Sequence, residues 1–200
     1  MGVIAVTGGI AVGKSVMMQY WRSRYSPPIF DMDDIGRELL HEDVIKREVF
    51  HIFGAEAMAQ NGCVDRVFVQ KRIFSFADEK KALERLLHPY IREEAKKRID
   101  VYLKNSPYCL VIVPLLFETK TAKNYDRVCV VESALDQRVR RCFDRGFSES
   151  VILAIMQSQA SSEDRISISD DVLYNLKDFT FFYEQIDRLY TQYELLFAKQ

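Results

Sequence analysis

No apolar run in this 200-residue chain is long enough for a membrane span. The longest, CLVIVPLLF from Cys109 to Phe117, falls far short of the roughly 20 residues that a bilayer helix needs. Cysteine is scarce too: Cys63, Cys109, Cys129 and Cys142 show no CxxC or other ligand spacing. Two of them fall in apolar strand-like runs, so buried free thiols are expected, not a disulfide or a metal site. His41, His51 and His88 are likewise too scattered for a metal centre. Neither sign of charge is in excess, with 28 basic against 29 acidic side chains, so no global field recruits nucleic acid or an anionic membrane, and any anion site must be local. The N-terminal stretch lacks the basic region and cleavage site of a signal peptide, and Val6 stands where an N-myristoylation motif needs Ser or Thr. These absences lead us to expect a cytoplasmic protein, monomeric or weakly homo-oligomeric, with no nucleic-acid or membrane partner.

With 48% apolar residues the chain can bury a sizeable core, and one domain with an inserted subdomain is expected. GVIAVTG is a β-branched run ending in glycines, and GKSVMMQYWRSR after it has helical spacing. Further strands are expected at PPIFD, at Tyr108–Pro114, at Asp126–Glu132 and at DDVLYN. The third and fourth are continuous apolar runs, as in a parallel sheet covered on both faces. Between PPIFD and Tyr108 the pattern is helical nearly throughout, with breaks expected at FGAE, QNGCV and near HPY. After Glu132 two helices are expected to meet at Gly146, the second starting at Ser148 and Glu149, and FTFFYEQIDRLYTQYELLF closes the chain as an amphipathic helix.

Gly8, Gly13, Lys14 and Ser15 satisfy G-x-x-x-x-G-K-[ST] between a strand and a helix. In that motif backbone N–H groups curl around the β-phosphate, the helix N-terminus adds partial positive charge, and the lysine reaches the β- and γ-phosphates. The expected nucleotide site is therefore Gly8, Gly9, Ile10, Ala11, Val12, Gly13, Lys14, Ser15 and Val16, with Ser15 as a Mg²⁺ ligand. Ala11 is tolerable there if its φ stays negative. Val16 cannot supply the hydroxyl that a threonine would offer a phosphate, so weakened nucleotide binding is expected. A GTP-hydrolysing switch is disfavoured: DDIG fits D-x-x-G, but no N-K-x-D follows, and NLKD at Asn175 has its lysine misplaced. FDMDDIGR puts Asp31 and Asp33 two apart at a strand end, where alternation would aim both carboxylates at an acceptor or at Mg²⁺.

Taken together these motifs resemble the dephospho-CoA kinases. The family's loop is matched by GGIAVGKSV, its D-x-D by DMDDIGR, and its later elements by Phe53-Gly54, GCVDR, HPYI and VPLLFE; Gln137, Arg140, Gln159, Glu163, Asp170, Asp171 and Asn175 fit positions further on. The resemblance implies an α/β P-loop NTPase three-layer fold with a five-stranded parallel sheet. It implies a nucleotide core over about 1–32, 106–135 and 168–200, a helical CoA-binding insertion over about 33–105 and a helical lid over about 136–167. It further implies ATP and Mg²⁺ as cofactors and transfer of the γ-phosphoryl to the ribose 3′-hydroxyl of dephospho-CoA. Asp33 would be the general base supported by Asp31, with Lys14 and Arg140 as further catalytic groups. Arg141, Arg145 and Asn175 would complete the nucleotide site, and Arg37, Arg66, His88 and Leu115 would join Asp33 in binding the acceptor.

The lid departs from the family pattern. RVRRCFDR carries Arg138, Arg140, Arg141 and Arg145, Asp144-Arg145 stands where Arg-Asp is usual, Ser162 replaces a frequent arginine, and Tyr174 replaces a common acidic residue. A kinase for another small hydroxyl acceptor, such as a nucleoside, and a catalytically weak nucleotide-binding protein remain as alternatives.

Overall fold

The computed structural model describes residues 1–176 and 178–198; Lys177, inside NLKD, and residues 199–200, at the end of the expected nucleotide core, lie outside the described residues. Five strands, β1 (Gly2–Thr7), β2 (Ile29–Asp31), β3 (Tyr108–Ile112), β4 (Arg127–Glu132) and β5 (Asp171–Tyr174), form one sheet in the order β2-β3-β1-β4-β5. The β1–β3, β1–β4 and β4–β5 pairings are parallel. The chain packs as two compact units, Met1–Phe30 with Val101–Gln200, and Asp31–Asp100.

In the first unit the central strands are apolar at successive positions because both faces are covered. Ile4, Val6, Cys129 and Val131 face Met17 and Trp21 of α1 (Lys14–Arg24) and Phe182, Ile186, Leu189 and Tyr193 of α9 (Phe179–Phe197). Ala5, Val128 and Val130 point the other way, toward Leu116, Ile166 and Ile168. The thiols of Cys109 and Cys129 are buried and pushed up by desolvation, Cys109 to about 12; with Cys142 they are free and buried, whereas Cys63, also expected to be buried, is free but only half-buried. Three helices lie between β4 and β5: α6 (Leu135–Asp144), α7 (Glu149–Ser158) and α8 (Ser162–Ser167). Two were expected. The third exists because Ser161 and Asp164 form a capping box, each side chain bonding the other's backbone N–H.

The second unit is helical, with α2 (Met32–Leu39), α3 (Asp43–Phe53), α4 (Arg66–Ser75) and most of α5 (Ala77–Tyr102). Its own core joins Ile45, Val49 and Phe53, at four-residue spacing on α3, to Ala57, Val64, Val69 and Leu83. The breaks at FGAE and QNGCV are present, at Gly54 (φ 82°) and Gly62 (φ 75°), where a left-handed backbone favours glycine. The break near HPY is not: α5 runs through Pro89. Proline there removes only the bond to the Arg85 carbonyl, and both residues are exposed, so water can serve that oxygen. The strand expected through Pro114 stops at Ile112.

Candidate active site

β1 delivers the chain to the loop, and α1 takes it away. Gly8 (φ 149°) and Gly13 (φ 114°) hold left-handed backbone, and both are hemmed in: an added Cβ would lie 2.4 Å from the Val131 carbonyl at Gly8 and 2.3 Å from Asn175 Nδ2 at Gly13. Ala11 was expected at negative φ and instead sits at 59°. That conformation costs a non-glycine residue about 1–2 kcal/mol. The offset is packing, since the Ala11 methyl is buried against Cys142 of α6 and Ile152 of α7, and a buried methyl(ene) contributes about 0.8 kcal/mol.

The loop carbonyls are bonded in turn by side chains. Lys14 Nζ donates to the Gly8 and Gly9 oxygens at 2.6 and 2.9 Å. Arg138 Nε donates to Ile10 O at 3.0 Å, Arg141 Nη1 to Ala11 O at 3.0 Å, and Asn175 Nδ2 to Val12 O at 2.9 Å. Fixing five consecutive carbonyls on side-chain donors biases the amides toward the opposite side, which is what a phosphate cradle requires. One amide is diverted, because Ile10 N–H donates to Gln159 Oε1 at 2.9 Å.

Behind this ring lies a buried ion pair. Glu132, at the end of β4, accepts from Arg165 Nε at 2.8 Å, and Arg165 Nη1 donates to Ala160 O at 2.5 Å. Ala160 N–H donates to Glu118 of VPLLFE at 2.8 Å. Arg141 is further held by Ser133 Oγ and Gln137; burial, and then the charge of Arg145, lower its pKa. Arg140 and Arg145 are exposed, and Arg140 lines a groove along α6 with Leu135, Asp136, Val139 and Phe143. Leu115 is exposed just after β3.

In the second unit Asp31 and Asp33 are related differently from the expectation. Asp31 ends β2 as the N-cap of α2, and its Oδ1 accepts the Asp33 N–H at 2.9 Å. Asp33 is thus in the first turn of a helix, not on a strand, because a carboxylate before Met32 satisfies amides that the turn leaves open. Arg37 folds back along α2 to the Asp33 carbonyl (3.2 Å) and Asp34 (2.6 Å). Arg66 is exposed at the start of α4, and His88 is half-buried within α5.

Comparison with known proteins settles the family. The family model described as dephospho-CoA kinase matches residues 2–180. The chain belongs to the dephospho-CoA kinase family. It is 35% identical to a dephospho-CoA kinase of Vibrio vulnificus (strain YJ016), over 99% of this chain and 98% of that one. A crystal structure of a Thermus thermophilus protein superposes with a TM-score of 0.82 at 27% identity, covering 95% of this chain and 96% of the other. The Campylobacter jejuni dephospho-CoA kinase shares the fold, with a TM-score of 0.72 at 23% identity over 95% and 96% of the two chains. The expected α/β P-loop kinase fold is therefore the fold of this family member, and no helix among the described residues is long and apolar enough to cross a membrane.

Sequence reasoning missed Arg165, Glu132, Gln159 and Glu118 as parts of the loop's surroundings. The available signal was an arginine, Arg165, beyond the cluster that drew notice, and an acidic residue ending an otherwise apolar strand. As for Mg²⁺, no group of three or more His, Cys, Asp or Glu suited to a metal occurs among the described residues. Mg²⁺ does not demand one, since it keeps several waters and takes few protein oxygens beside substrate phosphates. The exposed Ser15 hydroxyl in the first turn of α1 fits that use.

Proposed function

We propose that this chain phosphorylates the ribose 3′-hydroxyl of dephospho-CoA with ATP, giving coenzyme A and ADP. The observation that carries this reading is the family match over residues 2–180, which includes both the phosphate loop and the DMD segment. In the transfer the 3′-oxygen forms a bond to the γ-phosphorus while the bond from that phosphorus to the β-bridging oxygen breaks, and the hydroxyl proton passes to the Asp33 carboxylate. Little covalent work falls to the protein, so positioning and charge neutralisation carry the rate. The loop amides and Lys14 hold the β- and γ-phosphates. Bound through Ser15, Mg²⁺ would neutralise phosphate charge. Asp31, as the helix cap, positions the turn that bears Asp33.

On this reading the helical insertion, about residues 33–105, binds the CoA moiety through Arg37, Arg66 and His88, with Leu115 contributing from the core, and residues of about 136–167 act as the lid. Arg140, Arg141, Arg145 and Asn175 belong to the nucleotide side. The enzyme is cytoplasmic, monomeric or weakly homo-oligomeric, and acts on small molecules, with neither nucleic acid nor membrane as partner. The test is to incubate purified protein with Mg-ATP and dephospho-CoA and resolve ADP and CoA by mass. Stoichiometric CoA is expected; no CoA from folded, ATP-binding protein would redirect the assignment to another acceptor.

Two variants probe the unusual positions. Val16 is partly buried against the main core, and Val16→Thr adds a hydroxyl in a nearly equal volume. A hydrogen bond to a charged phosphate is worth about 1.5–3 kcal/mol, so the KM for ATP should fall about tenfold or more; an unchanged KM removes Val16 as the weak point. Asp31→Asn retains a capping oxygen and should keep stability and most of kcat, whereas Asp31→Ala should lose about 1 kcal/mol. If Asp31→Asn instead loses kcat as severely as a change at Asp33, the charge of Asp31 takes part in the chemistry.

A further inference from the structure

Two guanidinium groups meet the phosphate loop at Gly9. A Cβ built there would lie 2.6 Å from Arg138 Nη2 and 3.2 Å from Arg165 Nη2, so a glycine is what lets both approach. Arg165 is 2% exposed. Its Nε and Nη1 are committed to Glu132 and Ala160. Its Nη2 lies 2.7 Å from Glu132 Oε1 but makes no aligned hydrogen bond among the described residues, although it is buried. Arg138 reaches the same place from α6, with Nε on Ile10 O and Nη2 close to Gly9.

The charge balance is uneven. Arg138 and Arg165 carry two positive charges against the Glu132 carboxylate that bonds Arg165 directly, with the Glu118 carboxylate one peptide further off on Ala160 N–H. Burial, and then the neighbouring Arg165, push the Arg138 pKa down, which expresses the cost of bringing the two cations together. Like charges held in a partly buried setting are unfavourable until an anion joins them. A salt bridge serving only to join α8 to β4 would need Arg165 and Glu132 and no second guanidinium. Arg165 Nη2 stays beside Glu132, yet it and Arg138 Nη2 both lie close to Gly9 in a loop whose amides already favour phosphate, and planar guanidinium forks match phosphoryl oxygens.

We propose that Arg138 and Arg165 form a two-guanidinium seat beside Gly9 for the terminal phosphoryl group of the nucleotide, with Glu132 as the positioning residue that holds Arg165. This assignment rests on the kinase reading only in taking the loop's ligand to be a nucleoside triphosphate. It gives the contact to the moving phosphoryl to residues outside the exposed pair Arg140 and Arg145.

The experiment compares wild type and Arg138→Met, full-length, by calorimetric affinity for ADP and for a non-hydrolysable imido analogue of ATP, alongside steady-state turnover. Arg138→Met also gives up the bond to Ile10 O, so ADP binding should weaken severalfold, while the preference for the triphosphate analogue over ADP falls about a further tenfold and kcat falls about a hundredfold or more, as for other preorganised donors to developing charge. Arg138→Lys, which keeps a charge but not the fork, should recover part of kcat. Arg165→Met strands the Glu132 carboxylate, so Glu132→Gln/Arg165→Gln removes both charges and carries the second arm, with a melting curve as the folding check. Retention of both kcat and analogue preference in Arg138→Met overturns the seat. So does an equal loss of ADP and analogue affinity, which would mark Arg138 as a brace for the loop. If wild type makes no CoA yet its triphosphate preference depends on Arg138, the acceptor assignment fails and the seat stands.

Discussion

Lys14→Ala should lower kcat/KM by about a hundred- to ten-thousandfold and weaken ATP binding at the same time. The ammonium group sits at the loop, donating to the Gly8 and Gly9 carbonyls, so its removal acts twice. The loop loses an internal clasp, and the β- and γ-phosphates lose a charged donor. Each hydrogen bond to a charged group is worth about 1.5–3 kcal/mol, and two such losses correspond to about 3–6 kcal/mol, which is the rate range stated. Lys14→Arg keeps the charge but cannot place a compact ammonium between two carbonyls, so it should recover affinity more than turnover. Steady-state kinetics with calorimetric ATP binding checks both. A Lys14→Ala protein that turns over within about tenfold of wild type would remove the loop from the reaction.

Asp33→Asn should lose about a hundred- to ten-thousandfold in kcat, the usual contribution of a positioned general base, with little change in the KM for ATP. The change is nearly isosteric, and the α2 cap is untouched because Asp31 accepts the backbone N–H of residue 33, not its side chain. The exposed carboxylate in the first turn of α2 favours the helix dipole by about 0.3–1 kcal/mol, and a melting curve of the variant measures what its loss costs. This separation of a large rate effect from a small effect on ATP affinity identifies a base. Near-normal turnover would remove Asp33 from the role, and a matching rise in the KM for dephospho-CoA with kcat preserved would make it a binding residue.

The loop and the strands were legible because their signals are local. A β-branched run, two glycines with left-handed backbone and a Lys-Ser helix start are contiguous, and a strand covered on both faces shows as an unbroken apolar run. Local propensity misled where another group decided the outcome. DMD was read as strand end, but the Asp31 carboxylate starts a helix one residue later. HPY was read as a break, but an exposed proline in a long helix removes one hydrogen bond that water can replace. Ala11 was expected at ordinary φ, but packing against α6 and α7 holds it at positive φ.

By itself the sequence determined the class of ligand at the loop, the family and the order of strand, loop and helix, since each rests on residues adjacent in the chain. The choice among the lid arginines was beyond it. Arg138, Arg140, Arg141 and Arg145 share one short charged stretch, and composition offers no reason to prefer any of them. The turn of α6 sets Arg138 and Arg141 on the loop carbonyls and leaves Arg140 exposed. Gln159, Arg165 and Asn175 reach the same loop from about 150 residues further along the chain. They meet because β4 lies beside β1 and β5 beside β4 in the sheet, and strand order follows from burial of the whole core, which no short segment encodes.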